Sequence, residues 1–121
     1  MTVRTITEPI RIEAAGTPTK IIDEFFGRVA SATSSVSIAR MDSPTGWAEP
    51  GQTPEFDEYT LVLDGELQVE TRDATIAVHA GEALHAPAGT WVRYSTPAAS
   101  GARYVSVCIP AFTPDTVHRD E

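Results

Sequence analysis

The strongest constraint on this fold is an Asp64-Gly65 pair set between two runs of strand-forming residues, Phe56 to Leu63 and Glu66 to Glu70. Both residues tolerate the positive φ of a two-residue type I′ turn, so the sequence predicts a β-hairpin turning there. After the turn, Leu67 and Val69 are apolar while Glu66, Gln68 and Glu70 are polar, which aims Leu67 and Val69 at a core. A two-residue loop pairs Leu63 with Glu66, Val62 with Leu67, Thr60 with Val69, and Glu58 with Thr71. Paired residues share a face, so Glu58 is expected on the buried side. An inward carboxylate is costly unless it is paired, metal-bound or protonated. Glu58 is therefore the first candidate for chemistry.

The same alternation sends Tyr59, Leu61 and Leu63 away from the interior although they are apolar. An N-terminal segment or a second copy of the chain would cover them. A homodimer is the expected cover, because exposed apolar sheet faces often mark such interfaces.

A chain of 121 residues holds one domain with one core. Its net charge of −8, from 17 acidic and 9 basic residues, disfavours nucleic acid and anionic membrane as partners. No apolar run approaches membrane-spanning length. The stretch Met1 to Thr5 lacks the apolar core of a signal peptide. The single Cys108 rules out an internal disulfide and fits a reducing compartment, so a cytoplasmic location is expected. The phosphate-loop, dinucleotide-binding, CxxC and HExxH patterns are all missing from the sequence.

Residues 1–35 read as an N-terminal arm and first strands, 36–110 as a barrel, and 111–121 as a polar tail. Lys20 to Phe26 carries i,i+4 apolar pairs that suit a short helix closed by Gly27, and also suits a buried strand. Strands are predicted at Val36–Met41, Thr75–His79, Ala83–Ala86, Trp91–Tyr94 and Ala102–Ile109, with a Pro- and Gly-rich loop over Asp42–Pro54. Short strands punctuated by Gly and Pro indicate an all-β sandwich or barrel.

These residues resemble the cupins. Glu58, six intervening residues and Gly65 match the second half of the first cupin motif. Gly81, Pro87 and Gly89 match the spacing of the second. The resemblance implies a double-stranded β-helix, a jelly-roll barrel, with a short N-terminal arm. The departures are as informative. The two histidines of the first motif fall on Gln52 and Pro54, the late histidine on Val92, and the asparagine on Thr96. Only Glu58 survives of the usual three-histidine, one-glutamate metal site. A transition metal needs several imidazole, thiolate or carboxylate donors, so no metal and no other cofactor is expected. Within the cupins the chain looks most like the ethanolamine-utilisation Q-type (EutQ-like) branch, through Phe56-Asp57-Glu58, Val62 to Leu67, and Tyr104 to Val107 leading to Pro110-Ala111. Some members of that branch are described as acetate kinases. That activity is not carried over, because nothing here resembles a nucleotide-phosphate loop.

Glu58 in an apolar pocket would have a raised pKa and could work as a general acid or base. His85, two residues before Pro87, is the expected partner in an acid–base couple, although Leu84 competes with it for the inward side. Arg40, Trp47, Gln52 and Tyr94 are the expected substrate-binding residues: Arg40 as a carboxylate anchor, Trp47 and Gln52 from the loop at the barrel mouth, Tyr94 as a phenol donor to an oxyanion. Cys108 shares a face with Ser106 and Tyr104 and reads as a small buried hydrophobe. The expected function is a metal-independent cupin enzyme moving protons on a small organic molecule, as an isomerase, cyclase, dehydratase or lyase does. Two alternatives stand beside it: a non-catalytic small-molecule-binding cupin, and an atypical metal site from Glu58, His85 and Gln52 or Glu55.

Overall fold

A computed structural model describes residues 2–121; Met1, part of the N-terminal stretch read above, lies outside them. The described residues form nine antiparallel strands: β1 Ile10–Ile12, β2 Ile21–Phe26, β3 Ser37–Ser43, β4 Trp47–Ala48, β5 Asp57–Glu70, β6 Thr75–His79, β7 Ala83–Ala86, β8 Arg93–Thr96 and β9 Ala102–Ile109. In the stretch Lys20 to Phe26 the chain forms strand, Ile21–Phe26, not helix: Ile22, Asp23 and Glu24 are buried in succession, as in a strand covered on both faces. The Asp42–Pro54 loop contains the short β4. The strand predicted at Trp91–Tyr94 starts two residues later, at Arg93.

The architecture is an all-β jelly-roll barrel. One half runs β1-β2-β3-β9-β5-β7 and the other β6-β5-β8-β4, with β5 belonging to both. Asp57 to Gly65 pairs with β9, and Glu66 to Glu70 pairs with β6 and β8.

This corrects the hairpin. Asp64-Gly65 is a corner inside one continuous strand, and Asp64 and Gly65 pair with Arg103 and Ala102 of β9. The sequence signal is common to both structures, since a corner also needs positive φ: Gly65 has φ 76°. A Cβ at this glycine would stand 2.1 Å from the carbonyl oxygen of Gly101. The consequence for Glu58 survives. The register slips between Val62 and Asp64, so Leu63 is an extra residue and the inward parity flips across it. Thr60 and Val62 face inward before the bulge, Leu67 and Val69 after it, and all four are buried. Glu58 stands on the same inward face, opposite Cys108 on one side and Ala86 on the other.

Tyr59, Leu61 and Leu63 point outward and keep 45%, 45% and 43% of their surface exposed, as expected from the alternation. The tail differs from its polar reading. Ala111 and Val117 are buried, and Phe112 packs edge-on against Phe56 with ring centroids 5.8 Å apart. The main core joins Trp47, Val62, Leu67, Val69, Val78, Val92, Tyr94 and Tyr104; a second cluster of Phe56, Cys108 and Val117 fastens the tail to the barrel. No helix among the described residues is long and apolar enough to cross a membrane.

Candidate active site

The barrel encloses a cavity of about 350 Å³. Its floor and walls come from alternate residues of four strands: Ile22 and Glu24 of β2, Ser37, Ala39 and Met41 of β3, Glu58 of β5, and Tyr104, Ser106 and Cys108 of β9. Tyr94 of β8 faces the same space. Glu49 and Gln52 enter from the segment after β4, whose backbone is held along β8: Gln52 N donates to Val92 O at 2.9 Å and Val92 N to Gln52 O at 3.0 Å. Two segments that read as arm and tail frame the mouth, Ile12 to Ala15 on one side and Phe112, Pro114 and Arg119 on the other. The arm is stapled to β4, since Trp47 Nε1 donates to Ala15 O at 3.1 Å and Thr17 bridges Ala48.

Glu58 lines this cavity. Its Oε2 accepts a long contact from the Cys108 thiol, with Sγ at 3.7 Å, while its Oε1 is buried with no hydrogen-bond partner. Burial raises the Glu58 pKa, opposed by Tyr94, Lys20, Cys108 and Arg119. A carboxyl in such surroundings holds its proton to higher pH than in water. Tyr94 Oη is the second buried polar atom without a partner. Burial first, and the nearby Glu58 carboxyl second, lift its phenol pKa well above the ordinary value. The two groups lie close enough to bias each other's proton, yet neither Glu58 Oε1 nor Tyr94 Oη is satisfied. Buried polar atoms are normally paired, so the two either close on each other by a small side-chain rotation or take a ligand's polar group or water.

A second buried acid, Glu49, has its pKa raised by burial against the pull of Lys20 and Arg119. Lys20 is buried beside it, its Nζ 3.3 Å from Tyr104 Oη and 4.1 Å from the Trp47 ring centroid. Burial pushes the Cys108 thiol far up, so it is a neutral donor and not a nucleophile.

Of the residues singled out in sequence, Glu58, Gln52 and Tyr94 meet in the cavity. Trp47 is fully buried in the core and supports Lys20 with its ring face instead of lining the cavity. His85 stands outside the barrel. It pairs in register with the outward Tyr59, stacks on that ring at 4.3 Å, and lies 3.3 Å from Asp57 Oδ1. The expected Glu58–His85 couple does not form, because β7 turns its odd positions outward while Ala86 fills the inward place opposite Glu58. Arg40 also points outward, to Asp23 at 3.4 Å and the Phe25 ring. Its neighbours Ala39 and Met41 take the inward positions of β3.

Lys20, Tyr104 and Arg119 were not among the expected site residues. The shared face of Tyr104, Ser106 and Cys108 was legible in the alternation of β9. Lys20 and Arg119 gave no local sign, because arm and tail reach the cavity only through tertiary packing.

The metal of ordinary cupins does not fit this donor set. Gln52, Pro54 and Val92 occupy the histidine positions, with Val92 packed in the core. Among the described residues no group of three or more His, Cys, Asp or Glu side chains is arranged to hold an ion. The atypical site also dissolves: His85 lies outside the barrel, and the exposed Glu55 pairs with His118.

Known proteins share this architecture. The polyketide cyclase RemF from Streptomyces resistomycificus superposes with a TM-score of 0.76 at 17% identity, covering 100% of this chain and 86% of that one. The EutQ protein of Clostridium difficile superposes at 0.66 and 22% identity, over 78% of this chain and 65% of that one. In sequence the chain is 43% identical over 101 residues to the Myxococcus xanthus protein named endoribonuclease YbeY, a match that spans 84% of this chain but about a third, 34%, of that protein's length. Residues 40–108 match the cupin-domain family. With more than half its length inside that match, a jelly-roll barrel around it and the motif glutamate facing the cavity, the chain belongs to the cupin family.

Proposed function

We propose that this cupin is a metal-independent enzyme in which Glu58 moves a proton on a small organic molecule held in the barrel. The observation that carries the reading is a pair of buried polar atoms with no hydrogen-bond partner among the described residues, Glu58 Oε1 and Tyr94 Oη, on residues that line one cavity. Glu58, its pKa raised by burial, supplies a general acid or base. Tyr94, a phenol with a high pKa, donates to the oxygen on which charge develops. Enolisation, and the cyclisation or elimination that follows from it, needs only these two groups. That RemF is a polyketide cyclase is in keeping with a carbonyl substrate. The ribonuclease name belongs to a protein about two and a half times as long, and a net charge of −8 is unsuited to binding RNA.

We propose further that a second copy covers the outer face formed by Tyr59, Leu61 and Leu63 of β5 with the exposed Ile109 of β9. These strands are register partners, which makes the patch continuous.

Deuterium exchange tests the catalytic reading without knowledge of the natural substrate. Neutral 1,3-diketones and 2-oxo acids are incubated with the protein in D₂O, and loss of the α-proton signal is followed by NMR. Catalysed exchange is expected, falling about 10²–10⁴-fold in Glu58→Gln. Binding without exchange would make this a ligand-binding module instead, and an active Glu58→Gln would remove the glutamate from the mechanism.

A further inference from the structure

We infer that the cavity takes an oxo-carboxylic acid with an apolar tail, its carboxylate on Lys20 and Tyr104 and its carbonyl at Glu58 and Tyr94. The carbonyl end rests on the proposed proton-transfer site; the carboxylate end rests on Lys20 alone.

Lys20 is a buried cation, 7% exposed, on the cavity wall. Its neighbours are the Tyr104 hydroxyl and the faces of the Trp47 and Tyr104 rings, at 4.1 Å and 5.6 Å to the ring centroids. Among the described residues no carboxylate forms an ion pair with it. Burying an ammonium group against two aromatic rings without a counter-ion is unfavourable unless an anion arrives to meet it. The nearby acids are weak substitutes: burial biases Glu49 and Glu58 to their neutral forms, and neither reaches ion-pair distance of Lys20. Glu24 is turned toward Gly27, where a Cβ would meet its Oε1 at 1.8 Å. Arg119, exposed and lining the same cavity, also forms no ion pair among the described residues and leans on the Phe112 ring. An entering anion therefore meets positive charge at the rim and again at depth.

Glu58 and Tyr94, which carry the two unpartnered atoms, line the same cavity, and those atoms suit one carbonyl oxygen and the hydrogen beside it. The lining also includes the apolar side chains of Ile22, Met41, Phe56 and Phe112. A ligand that satisfies all of this carries a carboxylate, a carbonyl and a hydrocarbon tail.

Calorimetry on the full chain tests this with phenylpyruvate, 2-oxo-4-phenylbutanoate and 2-oxohexanoate, each beside its primary amide. At least one acid is expected to bind ten-fold or more tightly than its amide. Lys20→Met should abolish that preference and Glu58→Gln should keep it. Amides that match their acids, no binding by any of the six compounds, or a preference that survives Lys20→Met would each overturn the inference. Should Lys20→Met fail to fold, the wild-type Lys20 side-chain NMR signal replaces it: a shift with the acid and none with the amide is expected, and no shift with the acid overturns the assignment. An acid that binds through Lys20 while Glu58→Gln still exchanges protons would leave the carboxylate contact standing and sink only the catalytic reading.

Discussion

Cys108 Sγ lies 3.7 Å from Glu58 Oε2, and the two residues are register partners on adjacent strands. The thiol is the donor, because burial and the neighbouring carboxyl keep its proton in place. One oxygen of Glu58 is thus held by the barrel wall and the other is left to the cavity.

Removing that thiol frees the carboxyl from a contact that favours its charged form. Cys108→Ala is therefore expected to move the Glu58 titration to higher pH, seen by carbon NMR of the labelled carboxyl. In the wild type the same thiol should resist a disulfide reagent at mildly alkaline pH until the protein unfolds. Rapid modification of the native protein would contradict its placement.

Stability should depend on pH through Glu58 and Glu49. Both have folded pKa values above their unfolded ones, so the folded state binds their protons more tightly. Their contribution is fully present below the ordinary carboxylate range and is lost as pH rises through the raised values. Urea unfolding across this window should show stability falling with pH in the wild type. The fall should be shallower in Glu58→Gln and shallower again when Glu49→Gln is added. An unchanged slope in the double variant would mean that neither acid is desolvated.

The β5 corner depends on one missing side chain. Gly65→Ala adds a Cβ where the Gly101 carbonyl oxygen stands at 2.1 Å, at a backbone φ of 76°. A loss of more than about 1 kcal/mol in chemical denaturation is expected. Gly46, with a similar φ and open space around it, should tolerate alanine better.

Leu61→Lys probes the outer face. Sedimentation should change from dimer to monomer, while exchange activity per chain and monomer stability stay within about 0.5 kcal/mol of the surface-substitution norm. A wild type that sediments as a monomer at high concentration would leave the apolar patch without this partner.

Much of the fold was legible because a half-buried strand writes its orientation into the sequence at every second residue. The apolar alternation of Leu67 and Val69 and the face shared by Tyr104, Ser106 and Cys108 could be read directly. So could the inward aim of Glu58, although by a turn that does not exist. The hairpin and the corner both ask for Asp-Gly, and both reverse the inward parity across it. Residues 64 and 65 could not say whether the chain folds back or runs on, because that depends on β9, nearly forty residues later, lying alongside β5.

His85 failed for a related reason. Ala83 and His85 on one face of β7, Leu84 and Ala86 on the other, give an alternation without a strong apolar side. Pairing of Glu58 with Ala86 chose the face and sent the imidazole outward to Tyr59.

Residue type and short-range periodicity by themselves determined an all-β chain with one inward glutamate, while the cupin barrel and the loss of the histidines that would gather a metal followed from the resemblance of its motifs. The company that glutamate keeps was decided only in three dimensions. Lys20 and Arg119 come from opposite ends of the chain, and neither end carries a local pattern that points inward. They reach the cavity because the barrel leaves an open mouth and the arm and tail gain burial by closing over it.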